Sequence, residues 1–392
     1  MFAINDYQLA NNNRQLTSTP INNKCYDTTD DDNNTTTNNV VVVNNQYQLV
    51  DQLWDGLTIT LMSIHQQRQQ THDIYRQKLV LRQKLYRLLS TKLMKSEKID
   101  LYLIGSSITG MGTKSSDTDF CLILYDSRNP NKIDENYLLK DRAVVKLDQL
   151  KQIIDDSGLS RHTQVIPALV PILKFVDSSS GLEVNINLNR TVTIKNSHLL
   201  SLYNQMDGRV GPLILALKLW ARSRNINSGF NNTLTSYSIS LMAIFFMQSV
   251  CRPPVLPSLQ QDFPHLFVDD VTKLQLNDYR RIVFRSQNLQ SLGQLFHNFF
   301  KYYCLFDYRK VISVRKARLI DRDSLVTPAN LYDKKLRNGK HWPHICIEEP
   351  FDRTNTSHAV YDCQMFQQIY DTLCQTYQQL LATNVYTIDM FV

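Results

Sequence analysis

The chain has 392 residues, with 43 Lys and Arg against 36 Asp and Glu, a formal charge of +7. With 12 Pro and 11 Gly it is neither collagen-like nor broadly disordered. Its longest apolar stretch, Ile239–Met247, contains Ser240 and stops at Gln248, well short of the ~20 residues a membrane-spanning helix needs. The small basic surplus permits a nucleic-acid partner without requiring one. The start, MFAINDYQLANNN, lacks the basic and apolar stretches of a signal peptide. The seven cysteines are widely spaced and include no C-x-x-C. The expectation is reduced thiols, no disulfide framework and no zinc module, in a cytoplasmic protein with the nucleus as a second compartment.

In chain order, residues 1–48 are rich in Asn, Thr and Asp and are expected to be disordered, because they bury too little apolar area to offset the entropy of ordering. Residues 50–95 read as helix, with Leu81, Leu85, Leu88 and Leu89 on one stripe. Arg76, Lys78, Arg82, Lys84 and Arg87 read as its solvated basic face, with part of an RNA-facing wall as the alternative. A short strand over Leu101–Ile104 ends at Gly105, and a Gly/Ser loop leads to a second strand over Thr118–Leu124. A helix follows over 134–158, with Val144, Val145, Leu147 and Leu150 apolar. Strands are expected at His162–Ile166, Ile172–Phe175 and Leu182–Leu188. Beyond Ile194 the pattern is mainly helical: Gly211–Arg222, Ser236–Val250, Leu289–Tyr303 and Ala359–Ala382, with a loop-rich stretch over 307–358.

The chemistry is concentrated in Gly105-Ser-Ser-Ile-Thr-Gly-Met-Gly-Thr-Lys-Ser-Ser-Asp-Thr-Asp119. Gly105 and Ser106 begin a turn whose backbone N–H groups and hydroxyls suit phosphate oxygens. Asp117 and Asp119, two apart at a strand start, share one face. Carboxylates so placed repel unless a cation lies between them, and hard oxygen donors suit Mg²⁺ or Mn²⁺. A phosphate cradle beside paired carboxylates points to metal-assisted phosphoryl chemistry on a triphosphate.

This constellation resembles the DNA-polymerase-β-like nucleotidyltransferases. The strings Pro171-Ile-Leu-Lys-Phe175, Leu217-Lys-Leu-Trp-Ala-Arg222, Thr233-Leu-Thr-Ser-Tyr-Ser238, Ile312-Ser-Val-Arg315 and Cys346-Ile-Glu-Glu-Pro-Phe-Asp352 narrow the resemblance to cytoplasmic poly(A) RNA polymerases of the germline-development type, over about residues 50–385. The resemblance implies template-independent transfer of AMP from ATP to RNA 3′ ends. It assigns Asp117 and Asp119 to the metals, Gly105 and Ser106 to the triphosphate, and Lys218 and Arg222 to its outer phosphates. Ser197 falls to the sugar, Ser236 to phosphate or sugar, and Tyr237 to stacking on the base. Trp220 reads as core.

In that family a third Asp follows in a pattern E-x-D-apolar-N. Here the string is Glu183-Val-Asn-Ile-Asn-Leu188, so Asn185 stands at the third-carboxylate position. Asn offers a carbonyl oxygen but cannot accept a proton, and losing a positioned general base typically costs about 10²–10⁴-fold in rate. Glu183 lies two residues away on the same strand face, and Arg190 replaces an Asn near the sugar. Two readings stay open: a poly(A) polymerase impaired at Asn185, or a pseudoenzyme of the same fold that binds RNA or partners. A terminal uridylyltransferase ranks behind them. In related uridylyltransferases the loop near 346–360 is one residue longer and presents a His to the base. Here Thr354-Asn355 occupy that stretch, which favours ATP, and His358 reads as a loop or cap residue.

No separate RNA-binding module is visible. Basic clusters at Arg280-Arg281 with Arg285, Arg315-Lys316 with Arg318, and Lys334-Lys335 with Arg337 suit only weak backbone contacts, so targeting is expected from an RNA-binding protein partner. His341 and His344 are too few for a metal site. The fold class expected is α+β: a bilobal nucleotidyltransferase with a mixed-sheet catalytic lobe over 98–195, and a mainly helical PAP-associated lobe over 196–392 against which a helix at 49–97 packs.

Overall fold

Two helices, not one, open the region described by this computed structural model, which covers residues 54–93, 97–322 and 344–382. The tail over 1–48 and the cluster at Lys334, Lys335 and Arg337 lie outside the described residues. The helix expected over 50–95 is interrupted: α1 spans 54–68 and α2 spans His72–Leu93. Between them Gln69 bridges to Thr113, while Thr71 Oγ1 accepts the Ile74 N–H at 3.3 Å and caps α2. The solvated basic face is also corrected. Arg76, Lys84 and Arg87 are exposed, but Lys78 is fully buried and Arg82 donates to the Leu101 carbonyl at 2.7 Å. Lys78 continues the buried stripe of Leu81, Leu85, Leu89 and Leu93 toward the helix start.

The strands are β1 (Ile99–Ile104), β2 (Thr118–Asp126), β3 (Asn129–Ile133), β4 (Ser160–Ile166), β5 (Ile172–Asp177) and β6 (Glu183–Leu188). They form a sheet of order β1-β2-β6-β5-β4, with β3 paired to β2. The β2–β6 pair is parallel and the others are antiparallel, so the sheet is mixed, as expected. β2 reads Thr-Asp-Phe-Cys-Leu-Ile-Leu-Tyr-Asp and is buried on both faces, which its nearly unbroken apolar run requires. Phe120, Leu122 and Leu124 pack with Leu101, Leu103, Leu173, Phe175 and Ile186, against α2 and α4 (Lys140–Asp156). Cys121, Ile123 and Tyr125 pack on the other face with Ile194. The apolar stripe of α4 is Ala143, Leu147, Leu150 and Ile154, whereas Val145 faces solvent.

A single helical turn, α3 (Ser106–Thr109), follows β1. The remaining helices are α5 (Thr191–Met206), α6 (Val210–Ser223), α7 (Ser236–Phe245) running into a π-turn over Phe246–Val250, α8 (Leu259–Asp262), α9 (Leu292–Cys304) and α10 (Cys363–Ala382). A small hairpin, β7 (Lys310–Ser313) and β8 (Arg318–Asp321), lies between α9 and α10 in the chain. Trp220 is core, as expected: its ring lies 4.6 Å from that of Phe300 and its Nε1 donates to Thr376 Oγ1 at 3.1 Å. The expectation of reduced thiols is corrected at one pair. Packing of α9 on α10 joins Cys304 to Cys374 in a disulfide across a sequence separation of 70. No helix among the described residues is long and apolar enough to cross a membrane.

Candidate active site

The parallel β2–β6 register sets Asp119 opposite Asn185. Asp117, two residues earlier, lies toward the same face. The Asn185 Nδ2 donates to Asp117 Oδ2 at 3.2 Å and to Asp119 Oδ1 at 3.0 Å. Two carboxylates therefore converge on one N–H₂ group. Burial pushes the Asp119 carboxyl above its ordinary range and Asp117 adds to the effect, while the Asn185 amide, Lys78 and Lys174 oppose it. Among the described residues the Asn185 Oδ1 is buried without a hydrogen-bond partner.

These donors fit a divalent cation. Asp117 and Asp119 supply hard anionic oxygens aimed at one point, and the orphaned Oδ1 supplies a neutral oxygen when the amide is turned over. Glu183 does not replace the missing carboxylate. It faces solvent and pairs with Lys174, Nζ to Oε2 at 2.7 Å, while Lys174 lies opposite Asn185 on β5.

The turn at Gly105 is built against the same carboxylate. Gly105 has φ +68° and ψ −152°, a conformation essentially reserved for glycine. A Cβ there would lie 2.8 Å from Asp119 Oδ2. The Gly105 N–H donates to Ser197 Oγ at 2.8 Å, and that hydroxyl donates to the Thr193 carbonyl at 2.6 Å. Ser197 thus holds the first residue of the turn to α5.

Lys218 reaches across from α6, its Nζ donating to the Met111 carbonyl at 3.0 Å. Burial, reinforced by Arg222, brings its ammonium down to about 8. Arg222, one turn later, is exposed. Asn204 on α5 lies between the loop and α6: a Cβ on Gly110 would meet its Nδ2 at 2.5 Å, and one on Gly211 its Oδ1 at 2.6 Å. Asn227 Nδ2 donates to the Lys218 carbonyl at 3.4 Å and to Ser236 Oγ at 3.1 Å, tying α6 to the start of α7.

Next along α7, Tyr237 donates its hydroxyl to Glu349 Oε1 at 3.1 Å. Burial and then Glu349 push the Tyr237 phenol well above its ordinary range. Burial, with Asp352 nearby, pushes the Glu349 carboxyl up to about 8, although the Phe351 and Asp352 N–H groups donate to its Oε2. Asn355 turns inward and accepts the Ile347 N–H at 3.1 Å, and His358 Nδ1 bonds the Asn355 carbonyl at 2.8 Å, as a loop residue should. His341 lies outside the described residues, His344 stacks on Phe366, and no group of three or more His, Cys, Asp or Glu side chains placed to hold a metal occurs among the described residues. Arg190 donates to the Leu138 carbonyl at 3.2 Å. Arg315 pairs with the buried Glu348 at 2.5 Å, which removes it from the expected basic surface.

The structure thus joins Gly105, Ser106, Asp117, Asp119, Asn185, Ser197 and Lys218 around one loop, with Ser236 linked to Lys218 through Asn227 and Tyr237, the next residue, bonded to Glu349. Sequence reasoning missed Lys78. Its Nζ donates to Ser107 Oγ at 2.8 Å, to the Ser116 carbonyl at 2.9 Å and to the Asp117 carbonyl at 3.2 Å. Burial brings it down to about 8, with Asp119 and Asp117 opposing. The available signal was a charge on an otherwise apolar stripe.

Residues 57–205 match the family model for the central palm domain of mitochondrial-like poly(A) RNA polymerase, and residues 291–355 match that of Cid1 family poly A polymerases. The chain is 37% identical over 343 residues to poly(A) RNA polymerase gld-2 homolog A of Drosophila melanogaster, covering 84% of this chain and 24% of that protein. It is 38% identical over 287 residues to poly(A) RNA polymerase GLD2 of Mus musculus, covering 71% and 56%. The chain therefore spans about a quarter to about half of these relatives. A solved GLD-2/RNP-8 complex aligns with TM-score 0.67 at 31% identity, covering 84% of this chain and 95% of that one. The Cid1 poly(U) polymerase structure, at 24% identity and TM-score 0.66, shares the fold.

Proposed function

We infer the reaction from one premise: the chain belongs to the GLD2-type poly(A) RNA polymerase family. The reading is template-independent transfer of AMP from ATP to an RNA 3′ end, slowed by Asn185. The observation that carries it is the convergence of Asp117, Asp119 and Asn185 beside the Gly105–Ser106 turn and Lys218.

In this reading the Ser106 turn and Lys218 hold the triphosphate, Arg222 meets its outer oxygens, and Tyr237, steadied by Glu349, stacks on adenine. Ser197 acts through Gly105, keeping the turn close to Asp119, and the Ser236–Asn227 pair holds the base side to the phosphate side. The RNA 3′-hydroxyl oxygen bonds to the α-phosphorus, the α–β phosphoanhydride bond breaks, pyrophosphate leaves and the hydroxyl proton passes to water. Asp117 and Asp119 would hold Mg²⁺ or Mn²⁺, which supplies charge neutralisation for the attacking and leaving oxygens. A third carboxylate would also accept the 3′-hydroxyl proton, and Asn185 cannot. That single difference supports a second reading, a chain that binds ATP and RNA without joining them.

Targeting is proposed to come from a bound RNA-binding protein in the cytoplasm. The solved GLD-2 relatives are complexes with RNP-8 and with GLD-3. The test is incorporation of labelled ATP or UTP onto an oligo(A) primer with Mg²⁺ or Mn²⁺, comparing the chain with Asn185→Asp. The impaired-polymerase reading expects slow AMP addition, increased by about 10²–10⁴-fold in the variant. No addition by either chain favours the binding reading, equal robust addition refutes the role given to Asn185, and preferential UTP use refutes the adenylate assignment.

A further inference from the structure

We propose that Lys78 is a positioning residue for this reaction, the centre of a clamp through which the α1–α2 corner sets the spacing between the Ser106 turn and the Asp117–Asp119 pair. The proposal rests on the nucleotidyl-transfer reading.

The loop from Ser107 to Asp117 carries the phosphate turn at one end and the paired carboxylates at the other. Left to itself, such a Gly/Ser-rich loop samples many separations of its ends. The α1–α2 corner holds it along its length. The Lys114 N–H donates to the Arg68 carbonyl at 2.9 Å, and the Gln70 N–H donates to the Gly112 carbonyl at 2.9 Å. Gln70 Nε2 donates to the Ser107 carbonyl at 3.1 Å.

Lys78 then closes the two ends on one ammonium: Ser107 Oγ on one side, and the Ser116 and Asp117 carbonyls on the other. The side chain is fully buried. An ammonium with its three N–H groups matched to three oxygens, and two aspartates beyond them, is a satisfied buried charge rather than a stray one. It grips the backbone of Asp117 and leaves the Asp117 carboxylate directed at Asn185.

The test uses the full chain carrying Asn185→Asp as the reference for turnover. Adding Lys78→Met removes the three donors while keeping an unbranched side chain. Small misplacements of reacting groups cost up to about 100-fold, so kcat is expected to fall roughly 10- to 100-fold. KM for ATP should move less than about threefold, the signature of an interaction felt in the transition state. Without ATP, the Mn²⁺ midpoint read from the electron paramagnetic resonance of free Mn²⁺ should weaken by about threefold or more, because misaligned carboxylates share a cation poorly.

An unchanged kcat and Mn²⁺ midpoint would overturn the proposal. So would a tighter Mn²⁺ midpoint, which would mean that Lys78 acts as a competing charge. Ser107→Ala serves if Lys78→Met does not fold: kcat should fall by about 3- to 10-fold with KM for ATP moving less than about threefold, and an unchanged kcat overturns the proposal. If the reference chain adds no nucleotide, the transferase reading fails by itself and the Mn²⁺ midpoints decide the role of Lys78.

Discussion

Asn185 stands directly across the parallel ladder from Asp119, and its amide nitrogen lies 3.0 Å from that carboxylate. A neutral donor here stabilises two neighbouring anions without a cation, and it lowers the negative charge available to one. Asn185→Asp should therefore tighten Mn²⁺ binding. One additional carboxylate at hydrogen-bond range suggests a gain of roughly tenfold or more, because site charge sets affinity for hard cations. Calorimetric titration of both chains with Mn²⁺ checks this, and equal affinities would count against it.

Gly105→Ala should damage fold and site together. The residue occupies a conformation that L side chains avoid, and a Cβ would press on Asp119 Oδ2. The backbone cost alone is about 1–3 kcal/mol. A lower melting temperature together with weakened Mn²⁺ binding is expected. A variant that melts normally and binds Mn²⁺ normally would show that the turn relaxes.

Triphosphate affinity should fall as pH rises through about 8. Lys218 carries its charge below that value and loses it above, because burial and Arg222 disfavour the ammonium. ATP binding above that pH must recruit a proton, which weakens it by up to about tenfold per pH unit. Fluorescent ATP-analogue titrations at pH 7 and 9 measure the slope. Lys218→Arg should flatten it, since guanidinium stays charged; an equally steep variant would move the effect to another group.

Glu349 contributes to stability in the opposite sense from a salt-bridged carboxylate. Its folded value is pushed up to about 8, above the ordinary 4.5, so the stability linked to its proton is complete below about 4.5 and is lost as pH rises through 8. Glu349→Gln should show a smaller fall in melting temperature between pH 6 and pH 9 than the unaltered chain. Parallel curves would mean that the bonds from the Phe351 and Asp352 N–H groups keep the carboxylate charged.

Local chemistry was legible in the sequence and long-range chemistry was not. Ser106, Asp117 and Asp119 lie within one short string, so a turn and an i, i+2 strand pair suffice to bring them together. The place of Asn185 came from a family pattern, and the ladder supplies its physical meaning. Lys78 read as one more solvated cation because nothing near it in sequence shows the loop that buries it. The break at Gln69–Thr71 carries no Gly or Pro; it depends on pairing with residues 112–114. Strand β3 contains Pro130 and is mostly exposed, so it lacks the alternation that marks a strand and is held by its hairpin to β2. The Cys304–Cys374 bond follows from packing of α9 on α10, which spacing alone does not encode.

The Asn204 wedge makes three distant positions into a single unit of variation. Gly110 and Gly211 are both hemmed in by the same amide, one through its nitrogen and the other through its oxygen. A methyl at Gly211 therefore requires the Asn204 amide to shift, and cutting residue 204 back to Ala should remove that cost. At Gly110 the same relief would be incomplete, because its φ of +75° still disfavours a side chain. Residues 204 and 211 are thus coupled, and enlarging the start of α6 costs less once the side chain at 204 has been shortened.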